Sequence, residues 1–140
     1  MVKKFTTAQT IFTGWGALQE SGAAVSELGE KPLVVTSAGT WKRMGTQLNE
    51  LFSKCFSAYA VCDCINTEPT DTMIAEGLEV YQKNGCDCLI GIGGGSPLDA
   101  MKAIAVGTTC SAPLASYMGK EISGVIPPMA AIPTTAGTGS

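Results

Sequence analysis

The sequence predicts a doubly wound α/β domain, in which helices cover both faces of a parallel sheet. The main observation is an alternation: short apolar runs are followed by longer segments whose apolar residues recur at helical spacing. A second observation is a run of three glycines directly after one of the apolar runs. The chain of 140 residues has the size of one ordinary domain and is long enough to bury a core without disulfides or metals.

Five strands are predicted from apolar or β-branched runs bounded by turn residues. The run Lys31–Thr36, which reads KPLVVT, is typical of a strand that is buried on both faces. The last strand is fenced by Pro127, Pro128 and Pro133. The predicted strands are residues 10–13, 31–36, 57–61, 88–92 and 129–132.

Four helices are predicted between these strands, each from apolar residues on one helical face. The helices are predicted over residues 14–28, 40–53, 70–83 and 97–106. Their inward-facing residues are, in chain order, Leu18, Val25 and Leu28; Met44, Leu48, Leu51 and Phe52; Ile74, Leu78 and Tyr81; and Leu98, Met101 and Ile104.

Composition argues against several classes of partner. The net charge is −3 and the nine basic residues are scattered, so nothing favours binding to nucleic acid. No apolar run is long enough to span a bilayer, and no apolar segment follows the N-terminal lysines as in a secretory signal. We therefore expect a cytoplasmic protein whose six cysteines are reduced thiols.

The chain contains two Cys-x-Cys pairs, Cys62/Cys64 and Cys86/Cys88, which are candidate metal ligands. The first pair lies at the predicted carboxyl end of one strand and the second at the amino end of the next. Strands of about five residues place such ends roughly 15 Å apart at about 3.3 Å per residue, whereas zinc needs each sulfur at about 2.3 Å. One metal site cannot use both pairs, and the chain has no histidine to complete a site. We expect no metal here and interpret these cysteines as small core residues and strand-end thiols.

The glycines at 93–95 follow a strand and precede a helix, at the sheet edge where open α/β folds bind ligands. Ser96 is predicted as the N-cap, Pro97 as the first helical residue and Asp99 as the acid of a capping box. The free N–H groups of such a helix attract phosphate. The string lacks the third glycine of G-x-G-x-x-G and is not a P-loop, so a plain structural turn stays an alternative.

A second polar loop follows the last predicted strand and reads PTTAGTGS from residue 133 to residue 140. Its hydroxyl and backbone groups can donate hydrogen bonds to phosphate or ribose. Because the carboxyl ends of parallel strands meet at one sheet edge, the two loops are expected to form a cleft.

These two segments, GGGSPLD at 93–99 and AIPTTAGTGS at 131–140, resemble the iron-containing (group III) alcohol dehydrogenases. That family includes lactaldehyde reductases, 1,3-propanediol dehydrogenases and butanol dehydrogenases. The resemblance covers the whole chain, including Gly14-x-Gly16 and the KPLVVT strand. Glycerol dehydrogenase and dehydroquinate synthase share the architecture but match the second segment less well.

The resemblance implies a Rossmann-like domain that binds NAD or NADP. It assigns the pyrophosphate to the glycine loop, the adenosine and phosphate side to the threonine loop, and the adenine ribose to the turn at Glu68. The cofactor residues implied in this way are Ser37, Glu68, Gly93, Gly94, Gly95, Ser96, Asp99, Thr134, Thr135 and Thr138.

Ser37 departs from the family pattern. Many NAD-preferring members have an aspartate at the end of this strand, where it bonds the ribose 2′-OH and repels a 2′-phosphate. Ser37 is uncharged, and Lys42 and Arg43 follow it. We therefore expect NADP(H) to be tolerated, and a preference for it is left open.

The larger departure is the family's metal site, in which one aspartate and three histidines of a helical second half hold iron or zinc. The chain has no histidine and stops at Ser140. The resemblance therefore implies a cofactor domain truncated at its C-terminus, without catalytic or metal-binding residues and inactive alone. The full enzyme would interconvert a small primary alcohol or diol with its aldehyde, and a homo-oligomer is expected. The fragment is expected to self-associate, because a cut at Ser140 exposes the apolar face that meets the helical domain. The alternative is a non-catalytic module that binds nucleotide or phosphate.

Overall fold

A four-stranded parallel sheet forms the centre of the protein. The computed structural model describes residues 8–110, 113–122 and 124–136. The strands are β1 (Pro32–Val35), β2 (Ala60–Cys62), β3 (Cys88–Gly93) and β4 (Met129–Pro133). Their order across the sheet is β2-β1-β3-β4. Because all four strands are parallel, their carboxyl ends lie at one edge of the sheet.

Helices pack on both faces of this sheet, which confirms the predicted doubly wound α/β class. The helices are α1 (Ala17–Glu20), α2 (Gly22–Ser26), α3 (Ala38–Cys55), α4 (Asp71–Asn84) and α5 (Gly95–Gly107), and a 3₁₀ turn spans Leu114–Tyr117. Alternate residues of β1 point to opposite faces. Leu33 belongs to a core cluster with α4 and α5, whereas Val34 belongs to a cluster with α2 and α3.

Two expectations for the first 30 residues are wrong. Residues 10–13 form no strand; Ile11 and Phe12 are exposed, and no strand in the described part of the chain lies beside this short run. The helix expected over residues 14–28 is instead split into α1 and α2. Ser21 lies between them, and its Oγ donates to the carbonyl oxygen of Leu18 at 2.9 Å. The other predicted elements are present, with ends that differ by a few residues.

Asp87, just before β3, hydrogen-bonds to the segment that leads into β1. Its Oδ2 accepts a hydrogen bond from the amide of Glu30 at 2.8 Å, and its Oδ1 accepts one from the amide of Lys31 at 2.9 Å. Partial burial by itself raises the pKa of Asp87, but these amide hydrogen bonds outweigh it and lower the pKa below the ordinary 3.8. The ionised carboxylate therefore stabilises the folded state.

Replacing Asp87 with asparagine is expected to reduce the free energy of unfolding by about 1 kcal/mol at neutral pH, because the amide accepts less strongly. The pKa of Asp87 is lower in the folded chain than in the unfolded chain. Its contribution is therefore complete above the unfolded value of about 3.9 and is lost as the pH falls through the folded value. Urea unfolding of both proteins between neutral and strongly acidic pH measures this. An unchanged gap at all pH values would contradict the assignment, and Asp63→Asn, in an exposed loop, is the matched control.

Candidate nucleotide-binding site

The loops that follow β1, β2, β3 and β4 all lie at the carboxyl edge of the sheet. This is the edge at which open α/β sheets bind ligands. The sequence-predicted site residues in the described part of the chain lie at the ends of these strands, in the loops that follow, or within the first five residues of the next helix.

The glycine loop makes an abrupt turn from β3 into α5. Gly93 has φ +144°, a conformation that favours glycine, and a Cβ at this position would lie 2.8 Å from Pro97 Cγ. Gly94 is extended and Gly95 already begins α5. Because the chain turns within one residue, the N-terminus of α5 starts directly at the sheet edge.

The predicted capping box is therefore wrong. The N-cap is Gly94, without a side-chain hydrogen bond, and Ser96 lies inside the first turn of α5. Pro97 is the third helical residue rather than the first, a position whose N–H would also lack an intrahelical acceptor. Asp99 instead accepts from Lys102 Nζ at 3.0 Å on the exposed side of α5. The N–H groups of Gly95 and Ser96 are consequently left for a ligand, since the first turn has no carbonyl for them.

The threonine loop lies directly against the glycine loop. The amide of Thr134 donates to the carbonyl oxygen of Gly93 at 2.8 Å. A Cβ built on Gly94 would lie 3.5 Å from both Oγ1 and Cγ2 of Thr135, in van der Waals contact, so Thr135 lies beside the N-cap of α5. Thr134 and Thr135 are both exposed. The structure thus brings the two predicted loops together, whereas Thr138 lies outside the described residues.

Ser37 is the N-cap of α3 and lies half-buried at the end of β1. Its Oγ accepts from the amide of Thr40 at 3.2 Å and donates to Thr40 Oγ1 at 3.0 Å. Arg43 Nη2 in turn donates to Thr40 Oγ1 at 3.4 Å. A guanidinium therefore lies one threonine away from Ser37, and among these three side chains it carries the only charge.

Glu68 is exposed in the loop between β2 and α4. That loop is tied to the Ser37 turn, because Asn66 Oδ1 accepts from the amide of Ala38 at 3.1 Å and Cys64 forms an isolated antiparallel bridge with Ser37. Glu68 therefore belongs to the same side of the edge as Ser37, away from the glycine and threonine loops.

Two residues that organise this edge were not predicted from the sequence. Thr36 is fully buried, and its Oγ1 donates to the carbonyl oxygen of Ile92 at 2.8 Å, which joins the ends of β1 and β3. Asn66 supplies the link described above. A hydroxyl residue at the end of a predicted buried strand could have indicated the role of Thr36. Nothing in the sequence distinguishes Asn66 from an ordinary loop residue.

The two cysteine pairs lie at opposite ends of their strands, as the sequence predicts. Cys62 ends β2, and Cys88 begins β3, with β1 between the two strands. Within residues 8–110, 113–122 and 124–136, no group of three His, Cys, Asp or Glu side chains is placed to hold a metal ion. The donor set that iron or zinc needs is therefore not assembled by these residues.

The fold and this edge define a parallel α/β domain in which a glycine loop and a threonine loop meet at the carboxyl ends of the strands. The chain belongs to the iron-containing alcohol dehydrogenase family, whose sequence model, described as "Iron-containing alcohol dehydrogenase", matches residues 8–140.

Characterised relatives and solved structures agree with this placement. The chain is 34% identical to a choline dehydrogenase of Bacillus subtilis over 99% of its own length and 37% of the relative's. It is 35% identical to a 1,3-propanediol dehydrogenase of Citrobacter freundii over 92% of its own length and 35% of the relative's. An iron-containing alcohol dehydrogenase of Thermotoga maritima superposes with a TM-score of 0.85 at 30% identity, covering 98% of this chain and 39% of that one. The chain therefore spans little more than a third of the length of these relatives.

No helix in the described part of the chain has the length and apolar character needed to cross a membrane.

Proposed function

We propose that residues 1–140 are the cofactor-binding domain of a metal-dependent, NAD(P)-dependent alcohol dehydrogenase that interconverts a small primary alcohol or diol with its aldehyde. The observation that carries the proposal is the N-terminus of α5 at the sheet edge, where Gly94 presents no side chain and the threonine loop lies alongside. Family membership supports the same reading.

The pyrophosphate of the cofactor is proposed to lie against the N–H groups of Gly95 and Ser96, where the positive end of the α5 dipole favours an anion. Gly93 and Gly94 allow its close approach, and the hydroxyls of Thr134, Thr135 and Thr138 provide further hydrogen bonds. Asp99 contributes no repulsion of consequence, because Lys102 pairs with it on the exposed side of the helix. The bound nicotinamide would supply hydride transfer.

Iron or zinc in this proposal must be held by residues other than these 140. The chain has no histidine, and no three donor side chains converge among its described residues. We therefore assign no catalytic step to any of its side chains: its part is to bind and orient the cofactor.

The adenine ribose is proposed to lie between Ser37 and Glu68, with NADP(H) accepted as well as NAD(H). Support comes from the absence of a carboxylate at Ser37 and from the Arg43 guanidinium on the neighbouring threonine. Dissociation constants for the two cofactors test this, and NAD bound at least about tenfold more tightly than NADP would reject it.

Replacing Ser37 with aspartate is expected to weaken NADP(H) binding by about tenfold or more while leaving NAD(H) binding unchanged or improved. The new carboxylate repels a 2′-phosphate and accepts a hydrogen bond from a 2′-OH. Aspartate is as good an N-cap as serine, so α3 should begin as before. Fluorescence titration with NADPH and NADH gives both dissociation constants.

The matched control is Ser37→Asn, which has nearly the shape of aspartate without its charge and also caps helices well. It should leave the ratio of the two dissociation constants within about threefold of the wild type, a difference of less than 1 kcal/mol. If both variants changed the ratio of the dissociation constants equally, Ser37 would not contact the 2′ position of the ribose.

The experiment that tests the proposed function itself is a comparison of NAD(H), NADP(H), ADP and inorganic phosphate as ligands of the protein. A dehydrogenase cofactor domain should bind the whole dinucleotide more tightly than ADP, because the nicotinamide half also finds contacts. A non-catalytic nucleotide or phosphate module would bind ADP or phosphate at least as well. A domain like that of glycerol dehydrogenase or dehydroquinate synthase also binds the dinucleotide, and its substrates distinguish it.

We also propose a cytoplasmic location and self-association. All six cysteines are free thiols, which a reducing compartment favours. Apolar side chains near the outer edge of the sheet are exposed, including Val125 and Met129. Surfaces of this kind often become buried between subunits.

A further inference from the structure

The side chains of Cys62 and Cys64 turn towards each other after β2. Their Sγ atoms are 3.4 Å apart, the one sulfur–sulfur hydrogen bond among the described residues. Cys62 is 4% exposed and packed in the core, whereas Cys64 is half-buried at the sheet edge. The backbone holds this arrangement, since the carbonyl oxygen of Cys62 accepts from the amide of Thr36 at 2.9 Å and Cys64 bridges to Ser37. The pair is therefore a preformed dithiol of one buried and one half-buried cysteine.

The separation of the two sulfurs restricts what can bind both of them. If one soft atom bonded each sulfur at about 2.3 Å, as in zinc thiolates, the 3.4 Å separation would give an S–X–S angle of roughly 95°. That angle is far from the linear arrangement of two-coordinate Cu(I). It is close to the bond angles of pyramidal trivalent arsenic.

The number of protein donors around the pair also favours trivalent arsenic over a metal ion. Within the described residues no third Cys, His, Asp or Glu side chain completes a metal site around the pair. A monosubstituted trivalent arsenical brings its own carbon as the third substituent and needs only two protein sulfurs.

We propose that Cys62 and Cys64 form a binding site for monosubstituted trivalent arsenicals. In the reaction with an arsenoxide, two As–S bonds form and the arsenic–oxygen double bond breaks. The oxygen leaves with the two thiol protons as one molecule of water, and arsenic stays trivalent. No oxidant or reductant is consumed.

The protonation of the pair disfavours its oxidation. Burial raises the pKa of Cys62 and raises that of Cys64 to about 12, and the nearby Glu76 adds to both effects. Both groups are therefore thiols at neutral pH and react slowly with peroxides, which need a thiolate. The arsenical reaction consumes thiol protons as water, and closing a ring between two sulfurs of one chain supplies a high effective concentration for the second bond.

The second Cys-x-Cys pair provides an internal comparison. Cys86 and Cys88 have the same spacing, but Cys88 is fully buried and Cys86 is 8% exposed. Burial and the neighbouring Asp87 carboxylate also raise the pKa of Cys88 to about 12. Neither sulfur is open to solvent, so this pair should not take the arsenical in the folded protein.

The test is to incubate the protein with phenylarsine oxide under non-denaturing conditions and to measure the mass of the intact chain. We expect one adduct per chain, with the mass of the reagent less one water, which survives excess monothiol and is removed by a dithiol. Cys64→Ser should weaken the binding by at least about 100-fold, because only one As–S bond to the pair remains. Cys62→Ala, which keeps a small apolar group in the core, should do the same.

Cys110→Ser and Cys55→Ser are the matched controls, since both replace half-buried cysteines elsewhere, and both should keep the adduct. A monothiol-resistant adduct that persists in Cys64→Ser, or that maps to the peptide containing Cys86 and Cys88, would overturn the proposal. Circular dichroism of each variant separates loss of the site from loss of the fold.

Discussion

Replacing Gly94 with valine is expected to weaken binding of NAD(H) and NADP(H) by at least about 100-fold, or about 2.7 kcal/mol. A Cβ at this position would already be in van der Waals contact with Thr135 at 3.5 Å, and two further methyl groups would crowd the N-terminus of α5 where the pyrophosphate is proposed to lie. The backbone of Gly94 is extended, which valine adopts without strain. Titration of the variant with either reduced cofactor, followed by fluorescence, measures the loss.

The size of the side chain provides the control series. Gly94→Ala should weaken binding by about tenfold, an intermediate effect. Gly22→Ala is matched to it, because a Cβ on Gly22 also meets its nearest neighbour, Leu51, at 3.5 Å but lies in α2. That variant should bind cofactor as the wild type does. Unchanged affinity in Gly94→Val would place the pyrophosphate elsewhere and remove the main support for the proposed function.

Replacing Phe52 with alanine is expected to lower the free energy of unfolding by about 3–5 kcal/mol. Phe52 is fully buried between α3 and the sheet. Its ring makes edge-to-face contacts with Phe56 at 6.2 Å and with Tyr59 at 5.5 Å between centroids. Alanine leaves a cavity and removes both contacts, and urea unfolding monitored by circular dichroism measures the cost.

Phe52→Leu preserves most of the volume and should cost less than half as much as the alanine variant. Glu50→Ala, on the exposed side of the same helix, should change stability by less than about 0.5 kcal/mol. A cost below about 1 kcal/mol for Phe52→Ala would mean that this face of the sheet is loosely packed, contrary to its burial.

Buried strands and amphipathic helices were predictable because their periodicity is local. The KPLVVT run became β1, and Ile74, Met101 and Ile104 lie in the core as their helical spacing indicates. The start of α5 was not predictable in detail. Ser96, Pro97 and Asp99 have the right types for a cap, but the φ of Gly93 and its contact with Pro97 start the helix two residues before the expected position.

The candidate site also has a part that was predictable from the sequence and a part that was not. The glycine and threonine loops could be assigned to one sheet edge, because parallel strands place their carboxyl ends together. The position of Thr135 beside Gly94 and the Ser37–Thr40–Arg43 chain could not, since both depend on side-chain positions set by tertiary packing. The N-terminal strand failed for a related reason, because a strand exists only where it finds a partner.

The buried hydrogen bond from Thr36 to Ile92 has a consequence for ligand selection. It joins the strand that ends at Ser37 to the strand that ends at the glycine loop, so the spacing between these two parts of the edge is fixed inside the core rather than by mobile loops. A ligand of the proposed site that reaches both parts would therefore need the right length as well as the right chemistry. Discrimination by length thus becomes a property of the sheet itself, independent of which side chains line its edge.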